Sequence, residues 1–199
     1  MSEKQLKSLA LFLPVLIVAS LDQWSKYVIR TTPELHRADI IEGVLAFHYT
    51  KNPGMAMGIS WADTWVISLV AIAATILISF YIYRVFSYAR PAFMICMGLI
   101  LGGAIGNIID RLVLARLKDY GGVLDGHVVD FIHFNLTIGD FAVFPYIFNV
   151  ADMAISIAII SLLVFYKKIM PEHEETENNK DSSDEEPSSE ESPPTGVTS

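Results

Sequence analysis

The chain has 199 residues, 52% of them hydrophobic and 18% charged, with a mean hydropathy of +0.43, too apolar for an ordinary water-soluble domain of this length. Its formal net charge of −8 resides in residues 171–199, which carry ten of the 22 acids and one of the 14 bases, so residues 1–170 are close to neutral. A single cysteine excludes an intramolecular disulfide and a multi-cysteine metal site, and no lysine- or arginine-rich face exists to hold nucleic acid.

A helix needs ~20 mostly apolar residues to cross the hydrocarbon core of a membrane. The first candidate span covers about 8–30: it is uncharged from Ser8 to Leu21, and its pattern continues through Asp22 and Lys26 to Ile29. No small-x-small cleavage site follows, so a retained span is expected rather than a removed signal peptide. Val44 to Thr50 is rich in β-formers and runs into the turn signal Asn52-Pro53-Gly54, which predicts a short strand in the first outer loop. The second span is expected over 64–84, charge-free between Asp63 and Arg84, and the third over 91–112, charge-free from Pro91 to Ile109. A second outer loop follows, with Gly121, Gly122, Gly126 and the apolar stretch VVDFIHFNL. The fourth span is expected over 145–167; from Phe141 to Tyr166 the only charge is Asp152. Residues 1–170 thus read as a single four-span domain, and 171–199 as a disordered acidic tail too polar to bury a core.

Four spans put both termini on one side. Lys4, Lys7, Arg84, Arg90, Lys167 and Lys168 flank the spans tightly there, whereas Arg30, Arg37, Lys51, Arg116 and Lys118 are dispersed in the longer loops. That asymmetry predicts cytoplasmic termini.

An ionisable residue inside a span is costly enough to mark a functional site. Asp22 and Lys26, at i and i+4, can pair on one helix face. In the third span Gly98, Gly102 and Gly106 form a small-residue stripe suited to close helix packing, and Gly103, Asn107 and Arg111 form a second stripe beside it. Arg111 calls for an anion, with Asp110, a lipid phosphate or a substrate carbonyl as candidates. Asp152, one turn after Asn149, and Asp130, within VVDFIHF, have no local cation. Two such carboxyls sharing a proton are the apparatus of aspartic proteolysis, although the Asp-Thr-Gly signature of the soluble enzymes is absent.

Other chemistries are open at this level. His127, Asp130 and His133 would align as metal ligands on a helix, giving an intramembrane metalloprotease, but on a strand this spacing splits them between faces. No HExxH is present, and His36, His48 and His173 read as surface residues. Ser25 and Lys26 are adjacent and diverge on a helix, and Cys96 lies deep in the third span, where a thiol is inert. A small non-enzymatic transporter would call for internal repeats or a midplane site, whereas the polar residues here cluster near one end of the spans.

Five blocks together resemble the bacterial lipoprotein signal peptidases (signal peptidase II): DQWSK at 22–26, NPGMAM at 52–57, GGAIGNIIDRL at 102–112, VVDF at 128–131 and FNVAD at 148–152. The resemblance covers residues 8–168. It implies an α-helical membrane protein with four transmembrane helices, a small extracytoplasmic β-cradle and an interfacial helix in the first outer loop. It implies an aspartic endopeptidase of the inner membrane, its site at the periplasmic face, that cuts diacylglyceryl-modified prolipoproteins just before the lipidated cysteine. The catalytic pair would be Asp130 and Asp152. Asp22, Lys26, Asn52, Gly54, Gly103, Asn107, Arg111 and Asn149 would bind substrate or support the site. No metal or other cofactor is implied; the partners are prolipoproteins and membrane lipids, and the enzyme is expected as a monomer. Three features depart from the family: Met57 where phenylalanine is common, an extension over 113–127 that lengthens the gap between Arg111 and Asp130, and the acidic tail.

Overall fold

The computed structural model describes residues 1–54, 62–117, 122–135, 137–138, 141–142 and 146–170. The acidic tail, Ala56, Met57, His173 and residues 118–121 of the loop extension lie outside the described residues.

The first helix, α1 (Glu3–Thr31), begins with a capping box: the Ser2 hydroxyl accepts from Gln5 N and the Gln5 side chain accepts from Ser2 N, satisfying two donors the helix cannot use itself. A 3-10 turn (Pro33–Leu35) leads into β1 (Arg37–Ile41) and β2 (Leu45–Asn52), the second of which overlies the strand expected at 44–50. α2 (Thr64–Val85) and α3 (Pro91–Leu117) follow. Next come β3 (Val128–Phe134), the short β4 (Thr137–Ile138) and β5 (Phe141–Ala142), β6 (Ile147–Phe148), α4 (Val150–Val164) and one turn, α5 (Tyr166–Ile169). α1, α2 and α3 are long and apolar enough to cross a membrane, and α4 is a shorter apolar helix. The fourth apolar segment turns helical only at Val150, because Ile147 and Phe148 pair with β3 and Asn149 caps the helix.

α3 is the central helix, packed against α1, α2 and α4. Its two stripes serve different neighbours. A Cβ on Gly102 would stand 2.9 Å from Val18 Cβ of α1, and one on Gly106 would stand 2.5 Å from Asp22 Oδ2. A Cβ on Gly103 would instead meet Ala151 O of α4 at 2.6 Å. Close backbone approach is thus what brings the polar groups of three helices within hydrogen-bond reach. Gly106→Ala is expected to destabilise the protein by ~1–3 kcal/mol through displacement of Asp22. Thermal unfolding in detergent, with Gly122→Ala in its exposed turn as the near-neutral control, checks this.

Strands β1, β2, β3 and β6 form a four-stranded antiparallel sheet in that order. It packs on the C-terminal ends of α1 and α3 through Ile29, Leu114, Val129 and Phe131. A register shift between Phe47 and Thr50 sets Thr50 opposite Asp130 and Asn52 opposite Val128. At the other end of the helices a larger apolar cluster joins Leu11, Val85, Phe93, Met94, Ala158 and Ile169. The outward faces are apolar too: Leu69, Ile76, Leu77 and Phe80 of α2, and Ile157, Ile160 and Leu163 of α4, are all exposed. Such a surface is far more apolar than water tolerates around a soluble fold, and it suits lipid as solvent.

Candidate active site

The site grows from a buried ionic knot. Lys26 Nζ reaches Asp22 Oδ2 at 2.8 Å and Asp110 Oδ2 at 2.9 Å, and all three side chains are sealed from solvent, at 0–1% exposure. The pairing of Asp22 with Lys26 is the one their spacing predicts. Asp110 differs: its partner is Lys26 and not the adjacent Arg111, because neighbours on a helix point about 100° apart. Two carboxyls against one ammonium in a dry interior need further donors. They have them: Asp22 Oδ1 accepts from Ala151 N at 3.0 Å, Asp110 Oδ2 from Val129 N at 3.1 Å, and Asp110 Oδ1 from the Gln23 amide at 3.2 Å.

Lys26 also donates to Asn107 Oδ1 at 2.9 Å, and there the knot joins the two acids of interest. Asn107 Nδ2 donates to Asp152 Oδ1 at 2.9 Å. Asn149 Nδ2 donates to Asn107 Oδ1 at 3.1 Å and to Asp130 Oδ1 at 2.7 Å. The asparagines therefore link Asp152 on α4 to Asp130 on β3, and neither carboxylate has an ion-pair partner among the described residues. Asn149 and Asp152 form the reciprocal cap of α4, with Asp152 N donating to Asn149 Oδ1 at 3.0 Å and Asn149 N to Asp152 Oδ2 at 3.2 Å. The same bonds that start the helix thus orient a carboxylate into the site.

From the sheet side, Asn52 Nδ2 donates to Asp130 Oδ2 at 2.9 Å. Asn52 Oδ1 accepts from Gly54 N at 2.8 Å, an Asx-type turn that fixes the amide. Gly54 has φ +117°, a backbone conformation that side chains resist, and an added Cβ would strike Ile67 of α2. Burial, reinforced by the Asp152 charge, raises the Asp130 pKa from its ordinary 3.8 to about 7, against opposing hydrogen bonds from Asn52 and Asn149 and the Lys26 charge.

Arg111 approaches the same centre from α3. Its Nη1 makes one long bond, 3.4 Å, to Asn107 O, and its buried Nε has no partner among the described residues. A guanidinium so sparsely satisfied keeps donors free for another group. All ten residues singled out by the sequence lie in or against this network: Gly103 makes room for α4, and the other nine supply polar groups or a turn. Sequence reasoning left Asp110 and Gln23 outside the site, although Asp110 stands in the IIDRL block. Ser68 was also missed; its hydroxyl donates to Leu124 O at 2.7 Å and ties α2 to the loop before β3.

The histidines do not assemble as a helix would align them. β3 is a strand, Asp130 is held by the two asparagines, and His133 stands edge-on to His48, ring centroids 5.9 Å apart. Among the described residues no His, Cys, Asp or Glu group has metal-binding geometry. His36 and His48, expected at the surface, are instead half-buried: His36 stacks on Tyr49 and bonds Ile29 O, and burial with the Arg37 and His133 charges holds the His48 pKa down. Ser25 donates to Asp22 O, and Cys96 lies in the apolar cluster.

The family model for Signal peptidase (SPase) II matches residues 14–168. A lipoprotein signal peptidase of Chlorobium phaeobacteroides (strain BS1) is 36% identical over 164 residues, covering 79% of this chain and 95% of its own. One of Shouchella clausii (strain KSM-K16) is 38% identical over 151 residues, covering 74% and 86%. A solved bacterial membrane enzyme superposes with a TM-score of 0.60 at 28% identity, over 78% of this chain and 91% of that one. With the matched segment running from α1 through the cap of α4 to the end of the described fold, the chain belongs to the signal peptidase II family of peptidases.

Proposed function

We propose that this peptidase removes the signal peptide from diacylglyceryl-modified prolipoproteins, cutting just before the lipidated cysteine with Asp130 and Asp152 as an aspartic dyad. The observation that carries the reading is the linkage through Asn149 and Asn107 of two carboxylates that have no basic partner among the described residues. In this reading residues 1–170 are one membrane domain with spans at about 8–30, 64–84 and 91–112 and a fourth, expected over 145–167, whose helix begins at Val150. Both termini are in the cytoplasm of a bacterial inner membrane. The sheet and the site then lie at the periplasmic surface, where an acylated cysteine sits at the headgroup level with its chains in the bilayer. The enzyme acts as a monomer.

The chemistry follows from the proton count. Burial keeps the shared proton on Asp130 below about pH 7. Asp152 takes a proton from water as the oxygen attacks the scissile carbonyl, and Asp130 gives its proton to the carbonyl oxygen. The tetrahedral diol then collapses: the C–N bond breaks, the amine leaves with a proton from Asp152, and the carboxyl terminus of the signal peptide forms as Asp130 regains its proton. Asn107 and Asn149 hold the carboxyls in register, and the free Nε–H of Arg111 binds a substrate backbone carbonyl. The turn at Gly54 lets the strand edge approach the peptide.

Two measurements test this. The kcat/KM of the enzyme should fall above about pH 7, where Asp130 loses its proton; a profile flat to pH 9 removes the assigned acid. Unmodified precursor should be cut at least roughly tenfold more slowly than its diacylglyceryl form, since contacts with the lipidated residue position the bond. Equal turnover of the two would remove the assigned substrate.

A further inference from the structure

Both acids of the dyad follow immediately upon a backbone N–H that is held by a carboxylate of the buried ionic knot. Ala151 N, just before Asp152, donates to Asp22 Oδ1 at 3.0 Å, and Val129 N, just before Asp130, donates to Asp110 Oδ2 at 3.1 Å. The two carboxylates are joined by the one ammonium of Lys26, at 2.8 and 2.9 Å. Two chain segments from different elements, the start of α4 and the strand β3, are therefore pinned to a single point between α1 and α3.

We infer that Asp22 and Asp110 are paired backbone clamps, held together by Lys26, and that Asp110 is a positioning residue that sets the separation and facing of Asp130 and Asp152. The inference rests on the dyad reading and deepens it. Charge-assisted bonds to a backbone N–H are short and directional, and in a dry interior they yield little. Carboxylates at two attachment points, tied through one cation, hold a β-strand and a helix N-terminus to a tolerance that loop connections could not. Asp110 also pairs with the Lys26 ammonium, whose charge opposes retention of the proton on Asp130, and so offsets it.

The geometry separates the clamp from mere bulk. Asp110 Oδ2 alone accepts from both Val129 N and Lys26, so an amide oxygen in its place keeps both bonds and forfeits only the one accepted from the Gln23 amide. Asp110→Ala in the full-length enzyme, embedded in lipid, should lose at least a hundredfold in kcat with KM within threefold. Asp110→Asn should recover at least tenfold of that loss, and it should move the alkaline limb of kcat/KM to lower pH because one buried negative charge is gone. An asparagine variant as impaired as the alanine, or one with its limb unmoved, overturns the clamp. So does a fall in kcat that only follows the folded fraction measured in parallel by thermal unfolding; should the alanine variant fail to fold, the asparagine arm and its pH profile decide alone. Failure of the dyad reading is read separately, as activity retained by Asp130→Asn or Asp152→Asn.

Discussion

Asp130→Asn and Asp152→Asn are each expected to lower processing of a lipid-modified precursor by on the order of 10⁴-fold, the upper end of what a positioned acid or base contributes. Each substitution removes one of the two proton carriers and leaves the other without a counterpart, so no partial activity should survive by exchange of roles. Their effects on stability should differ. Asp152 accepts from both Asn107 Nδ2 and Asn149 N, so an asparagine there presents a donor to a donor and weakens the cap of α4 by ~0.5–2 kcal/mol. Asp130 behaves otherwise because its folded pKa of about 7 lies above its ordinary 3.8. Between those values the folded state binds more protons than the unfolded one, so this group withdraws stability as pH rises. The Tm of Asp130→Asn relative to wild type should therefore become steadily more favourable from pH 5 to pH 8. Full processing by either variant, measured as release of signal peptide, would sink the dyad; a Tm difference independent of pH would sink the raised pKa.

Lys26→Met should have the largest effect on the fold. It leaves Asp22 and Asp110 facing one another in a sealed interior and withdraws a donor from Asn107. Removing one partner of a buried ionic group costs ~3–5 kcal/mol, because the remaining charges stay desolvated. The loss should be strongly non-additive. In Lys26→Met combined with Asp22→Asn, the amide oxygen can keep Ala151 N while its NH₂ turns toward Asp110, so the double variant should be more stable than Lys26→Met by ~1 kcal/mol or more. Unfolding of the four proteins in the same detergent completes the cycle. Simple additivity would mean that Lys26 and Asp22 are not coupled.

Helices were legible wherever the apolar run was unbroken, as over α2 and α3, because a membrane-length element must carry its own backbone hydrogen bonds and its own hydrophobicity. The strand in VLAFHYT could be read from its β-formers. The start of α4 could not be placed from hydropathy, since Ile147 and Phe148 are as apolar as the helix they precede; their pairing with β3 decides it. The stripes of Gly98, Gly102 and Gly106 and of Gly103, Asn107 and Arg111 followed from helical periodicity, but which neighbour each would meet did not. Asp110 and Arg111 looked like partners because they adjoin in the chain.

By itself, the order of residues determined that this protein is a membrane-embedded bundle of apolar helices with a small surface sheet, and it marked Asp130 and Asp152 as acids in need of an explanation. Those properties are local: they depend on composition, on period, and on the cost of charge in an apolar run. The bonds running from Lys26 through Asn107 and Asn149 to the two acids were decided only by tertiary structure. They join residues up to 129 positions apart, as Asp22 and Ala151 are. Hydrogen bonds act over about 3 Å, and only the packing of glycines against neighbouring helices brings such distant groups within that reach.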